Sequence, residues 1–179
     1  MNKLCAKELR TTTPTEEEIK KIKRNDIYII CDNVWDTYNV GAIFRLADAV
    51  AAKRVYLCGQ TETPPNSRIK KASVNTWQWI PWSYTSTTIE ALQEIKNQNS
   101  KVKIIAVEQH EKSVPYDRAD YKLPIALVVG NETTGISEEV LSEMDEIVEL
   151  PMLGINTSLN VMVSLGIVLY QALEKNKIG

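Results

Sequence analysis

The chain has 179 residues, 44% of them hydrophobic and 25% charged, and a formal net charge of −2. One domain of this size buries roughly 70% of its unfolded surface. The slightly acidic balance excludes a generally basic nucleic-acid coat but leaves room for a local basic face. Cys5, Cys31 and Cys58 are odd in number and lack metal-type spacing, and His110 is the single histidine. That pattern argues against a His-based metal site or a Ser/His triad, and for a reduced, cytoplasmic interior without a metal. The start MNKLCAKELR lacks a signal-peptide core. The one long uncharged run, Leu150 to Leu173, is interrupted by Pro151, Gly154 and several polar residues, so it predicts a loop and a buried helix and no membrane span.

Residues 1–25 are polar and read as an N-terminal helical extension. TPTEEEIKKIKR carries a helix start, with Thr13 or Thr15 as cap, Pro14 in the first turn and Glu16 to Glu18 near the N-terminus. It is either a solvated helix lying on the domain or a docking surface made by Lys20, Lys21, Lys23 and Arg24. A single globular domain follows over 26–179. Asp26 to Cys31 predicts a buried strand, DNVWDTYN a loop, and GAIFRLADAVAA a helix. Gly41 sits where the backbone could approach a ligand, and Arg45 lies about one turn into that helix. Arg54 to Cys58 is the next strand, which completes a β-loop-α-β unit.

Gly59 to Lys71 reads as a loop with a stiff Pro64-Pro65 and a basic end at Arg68, Lys70 and Lys71. Trp77, Trp79 and Trp82 follow closely. Beside those cations they could stack unpaired bases; filling the core is the commoner use of tryptophan. Thr87 to Asn97 predicts a capped amphipathic helix, Val102 to Val107 a strand, and the polar segment around His110 a connection. Ile125 to Val129 predicts a buried strand that runs into GNETTG (130–135). Ser137 to Met144 predicts a short helix and Ile147 to Leu150 a strand that runs into LPMLGINTSLN (150–160), ahead of the long last helix. Strands alternating with helices imply an α/β fold, a parallel sheet with helices on both faces. Two small-residue loops behind parallel strands would share one crevice at the carboxyl edge.

Three blocks, NVGAIFRLADA (39–49), LVVGNETTGIS (127–137) and ELPMLGINTSLNVMVSLGIVLY (149–170), in this order and spacing, resemble the SpoU (TrmH-type) family of RNA ribose 2′-O-methyltransferases, of the SPOUT class. The resemblance covers about residues 26–175. It implies a C-terminal trefoil knot, a homodimer packed through knot-region helices, S-adenosylmethionine as methyl donor, and tRNA or rRNA as substrate. It places the donor against Val129, Gly130, Asn131, Gly135, Leu150, Met152, Ser158 and Leu159. Arg45, Asn39, Glu132, Ser158 and Asn160 match the family's catalytic positions. Arg45 is then a phosphate clamp and stabiliser of alkoxide charge, since a guanidinium stays protonated; the plain alternative is a surface arginine paired with Asp48 or Glu132. Glu132 holds Arg45 or a helix-end amide, and Ser158 doubles as a helix cap. Arg68, Lys70 and Lys71 are the candidate RNA contacts. Two positions depart from the family pattern: Ala51, where glycine is common, and VNTWQW (74–79), where small residues are usual. The rival readings are an inactive methyltransferase-like RNA-binding protein and a SPOUT enzyme that methylates a base.

Overall fold

The β-branched runs of the chain assemble into one sheet because their side chains alternate between two apolar layers. The computed structural model describes residues 3–178. Strands β1 (Asn25–Asp32), β2 (Ala52–Cys58), β3 (Trp82–Thr85), β4 (Lys103–Val107), β5 (Val114–Pro115), β6 (Ile125–Val129) and β7 (Glu146–Glu149) lie in the order β3-β2-β1-β6-β4-β7-β5. Every neighbouring pair is parallel. Along β1, Ile27, Ile29 and Cys31 face one core, and Tyr28 and Ile30 face the other. Helices α3 (Thr37–Ala49), α4 (Ser67–Ser73) and α7 (Val161–Lys175) cover the first face. Helices α5 (Thr88–Gln98) and α6 (Glu138–Leu141) cover the second. The fold is thus the parallel α/β sheet with helices on both faces that the alternation predicts.

Helix boundaries differ from expectation wherever a cap went unread. Helix α3 begins at Thr37, because Asp36 accepts from the Tyr38 amide at 2.8 Å. Part of DNVWDTYN is therefore helical, Asn39 lies in the first turn, and Arg45 lies two turns in. Helix α4 starts within the expected 59–71 loop and runs past its end, because Asn66 accepts from the amides of Arg68 and Ile69. Arg68, Lys70 and Lys71 are exposed on that helix. Asn160, not Ser158, caps α7 by accepting from Met162 N at 2.9 Å.

At the N-terminus, α1 (Ala6–Thr11) was not expected, and α2 (Glu16–Lys21) uses Thr15 as its cap with Pro14 outside it. Arg24 is no docking cation: its guanidinium donates to the carbonyls of Ala52 and Trp79. Trp79 is 3% exposed, and Trp77 and Trp82 pack against the first core. This row fills the edge of the core, as the commoner use of tryptophan predicts, with Trp77 and Trp82 keeping part of their surface on an open groove beside Thr13 and Pro14. Ala51 has φ +48°, which accounts for glycine being common there in backbone rather than packing terms.

Helix α7 buries Leu165, Val168, Leu169 and Ala172 completely, roughly 1.5–3 kcal/mol for each large side chain. Its other face leaves Val163, Ile167 and Tyr170 open. No described helix is long and apolar enough to cross a membrane.

Gly41 faces protein, not a ligand. A Cβ there would lie 2.6 Å from the Ala72 Cβ and 2.9 Å from the Ile69 carbonyl of α4. Gly41→Ala is therefore expected to cost about 2 kcal/mol, seen as a fall of roughly 4–8 °C in Tm. Donor affinity in the refolded variant should be unchanged; a variant as stable as the parent would contradict this packing role.

Candidate active site

Because the sheet is parallel, β1, β6, β4 and β7 all end at one edge, and the segments that follow them meet there. After β6, Asn131 closes the 130–135 loop on itself. Its backbone exchanges hydrogen bonds with Gly135 at 3.2 and 3.0 Å, and its Oδ1 accepts from the amides of Thr133 and Thr134. Its Nδ2 donates to the Asn33 carbonyl at 2.9 Å, which ties the loop to the end of β1. Gly135 has φ +67°, and a Cβ there would lie 2.5 Å from the Glu108 carboxylate, so no other residue fits without a shift. Glu108, just past β4, accepts from Ile136 N at 3.0 Å. The loop is thus held at both ends before any ligand arrives.

This loop and the 150–160 segment enclose a cavity of about 560 Å³. All eight expected donor residues line it: Val129, Gly130, Asn131, Gly135, Leu150, Met152, Ser158 and Leu159. Its wall carries the carboxylates Glu108, Glu132 and Glu149 and no lysine, arginine or histidine. The size is that of a cofactor pocket. The charge suits a cationic ligand, so the residues present fit a sulfonium donor. Among the described residues, no group of His, Cys, Asp and Glu converges as a metal site would require.

Beside the cavity, side chains from all three sequence blocks join in one chain of hydrogen bonds. Glu132 Oε1 accepts from Asn39 Nδ2 at 2.8 Å and from Asp36 N at 3.0 Å, and Oε2 accepts from Trp35 N at 3.1 Å. Asn39 Oδ1 in turn accepts from Asn160 Nδ2 at 2.9 Å. Burial works to raise the Glu132 carboxyl. The donors from Asn39, from its own amide and from Trp35 and Asp36 outweigh that and hold it below the usual 4.5. Of the two partners foreseen for Glu132, it is the helix-start amides and not Arg45 that it holds.

Arg45 stands apart. It is exposed, makes no hydrogen bond or ion pair among the described residues, and does not line the cavity. The surface pairing with Asp48 or Glu132 is not formed; Asp48 lies instead in the field of Arg24. Six residues separate Asn39 from Arg45, about 120° around a helix, so the two side chains leave α3 in different directions. The structure thus gathers Asn39, Glu132, Ser158 and Asn160 at one crevice and turns Arg45 away from it. Glu108, Gln109 and Glu149 were missed by sequence reasoning. Their signal was available: each sits at or just past the end of a parallel strand, where α/β sheets hold ligands.

A parallel α/β sheet with an acidic crevice at its carboxyl edge, walled by two loops and roofed by the start of the last helix, is the architecture of the SPOUT methyltransferases among its structural neighbours. An AdoMet-bound rRNA methyltransferase from Sinorhizobium meliloti superposes with TM-score 0.77 at 29% identity, over 93% of this chain and 59% of that one. Residues 26–170 match the model of the SpoU rRNA Methylase family, and the chain belongs to that family. It is 32% identical to a tRNA (guanosine(18)-2'-O)-methyltransferase of Aquifex aeolicus, over 87% of this chain and 72% of the relative. It is 29% identical to the 23S rRNA (guanosine-2'-O-)-methyltransferase RlmB of Ralstonia nicotianae, over 91% of this chain and 64% of that protein.

Glu132→Gln removes the charge that three donors share. After discounting for solvent, it should destabilise the protein by about 1 kcal/mol at pH 7. The sign follows from the lowered folded pKa: the stabilisation is complete above the unfolded carboxyl's 4.5 and is lost as pH falls through the lower folded value. Urea melts of the two proteins should therefore differ at pH 7 and converge in strong acid. A constant difference across pH would contradict the role of the charge.

Proposed function

We propose that the protein transfers the methyl group of S-adenosylmethionine to a ribose 2′-hydroxyl of tRNA or rRNA. The observation that carries this reading is the joining of Asn39, Glu132 and Asn160 beside an acidic cavity of cofactor size. The family's members supply the reaction class, and the particular RNA comes from the named relatives only as a class. The same reading places it in the cytoplasm, where its tRNA or rRNA substrate is found.

When bound, the donor supplies an electrophilic methyl on a sulfonium, a leaving group that departs neutral. The chain's own residues do the rest. The 130–135 loop, pre-closed by Asn131 and Glu108, offers backbone groups and small side chains with little reorganisation. Val129, Leu150, Met152 and Leu159 supply apolar contact, and the three carboxylates favour the cationic ligand. Asn160 is held by Asn39 with its side chain oriented, and Ser158 stands on the same wall, so both can align a ribose hydroxyl. Arg45 stabilises the oxygen as its proton passes to solvent water, and binds the adjacent phosphate. Arg68, Lys70 and Lys71, exposed on α4, extend the phosphate contacts.

The same reading includes a homodimer and the trefoil knot of the family. Val163, Ile167 and Tyr170 form an open apolar stripe on α7, at i, i+4 and i+7, continuous in sequence with exposed Leu153, Ile155 and Leu159. A two-fold partner would cover that stripe. It would also let the outward-facing Arg45 of one subunit reach the crevice of the other.

Arg45→Ala is expected to lower methyl transfer to bulk tRNA at least 100-fold. Donor affinity by calorimetry should stay within about twofold, because Arg45 does not line the cavity. Near-normal turnover would sink the assignment. If Arg45 acts across the interface, co-expressing R45A with N160A subunits should restore roughly a quarter of wild-type activity, through hybrid dimers with one intact site. Hybrid dimers that stay inactive would place Arg45 with its own subunit's crevice.

A further inference from the structure

The large exposed apolar side chains fall into two groups. One is mostly aliphatic and runs from Leu153 to Tyr170. The other is aromatic, Trp35, Tyr38 and Tyr84, each about half exposed, and it lies at the carboxyl edge of the sheet. Trp35 follows β1 and Tyr84 belongs to β3, so they flank the turn that follows β2, the strand between them.

That turn pins both rings by their polar ends. Trp35 Nε1 donates to Gln60 Oε1 at 2.9 Å, and Tyr84 Oη donates to the Gly59 carbonyl at 3.0 Å. The turn is itself fixed: Gln60 N donates to Asn33 Oδ1 at 3.0 Å, and Gly59 N donates to the Thr85 carbonyl at 3.1 Å. A ring whose hydrogen-bonding edge is satisfied while half its surface stays in water presents its apolar face. The rotamer entropy that binding would cost is largely spent already. The row ends at the reaction centre, since Trp35 N donates to Glu132 at 3.1 Å.

The surrounding segments, DNVWDTY (32–38), GQTETPPN (59–66) and SYTSTT (83–88), contain no lysine or arginine and three acidic residues, Asp32, Asp36 and Glu62. Such a surface does not hold phosphate. It suits a flat, uncharged ligand face. We propose that Trp35 and Tyr84 form a stacking platform for unpaired nucleobases beside the methylated nucleotide. This rests on the RNA reading above. The platform takes bases from a single-stranded or looped segment, because paired bases would not expose a face, while the phosphates lie on the cationic residues elsewhere. The enzyme would then prefer a target in a loop over one in a duplex.

Trp35 reaches Glu132 only through its backbone amide, so replacing the side chain spares the Glu132 cluster. The test uses the full chain and a short single-stranded oligoribonucleotide, with binding followed by anisotropy of a labelled strand. Trp35→Ala and Tyr84→Ala should each weaken binding by about 5- to 150-fold. Trp35→Phe should weaken it less, and Gln60→Ala, which frees the indole, should give an intermediate loss. S-Adenosylmethionine affinity and the sedimentation coefficient should match the parent in all four variants. Unchanged oligonucleotide affinity in W35A and Y84A overturns the platform alone. Loss of the native oligomer in W35A overturns it in favour of a protein interface. A parent protein that binds donor but no RNA of any form overturns the RNA reading together with the platform.

Discussion

The arrangement depends on one buried amide. Asn39, 6% exposed, donates to Glu132 and accepts from Asn160, residues 93 and 121 positions away in sequence. It joins the first turn of α3, the loop after β6 and the cap of α7. Each partner is also committed to local structure: Glu132 holds the amides that lead into α3, and Asn160 caps α7. A side-chain network satisfied at every member is worth more than its separate bonds, and it forms only when all three segments are in register. The crevice is therefore a consequence of folding, assembled before ligands bind.

Electrostatics divides the labour. The cavity wall is acidic and free of basic side chains, while the available cations, Arg45 and the α4 set, are exposed outside it. In the proposed reaction the first surface suits the cationic donor and the second the polyanionic acceptor, with Asn160 and Ser158 on the cavity wall. The loops achieve this through closure on themselves. Asn131 and Glu108 commit their polar atoms to backbone groups, so the loop holds its shape while Glu108, Glu132 and Glu149 keep the cavity wall acidic.

Much of this was legible in the sequence. Strands β1, β2, β4, β6 and β7 announce themselves as β-branched runs, and strand–loop–helix alternation dictates a parallel sheet with its ligand edge at the carboxyl ends. The glycine- and asparagine-bearing blocks around 130–135 and 150–160 carry the eight expected donor residues, and the fold brings all eight to one cavity. The failures have physical causes. The start of α3 was missed because a capping aspartate within a polar stretch looks like a loop until its amide partner is placed. Glu108 could have been placed at the ligand edge by its position just past β4, but its packing beside Gly135 is a tertiary fact with no local signature. For the tryptophans, two uses stayed open because composition does not say which rings are buried. Trp79 went into the core with Trp77 and Trp82 packed against it, and Trp35 stayed half exposed, pinned by a glutamine 25 residues away. Arg45 shows the limit most clearly: its position in the motif was plain, but the direction it faces depends on where α3 begins.

The most direct measurement is transfer of labelled methyl from S-adenosylmethionine to total RNA, followed by nuclease digestion and mass spectrometry of the modified nucleotide. The account predicts a methyl group on a ribose 2′-oxygen, at a nucleotide that is unpaired in its RNA. A methyl group on a base, or a protein that binds the donor yet transfers nothing to any RNA, would contradict it.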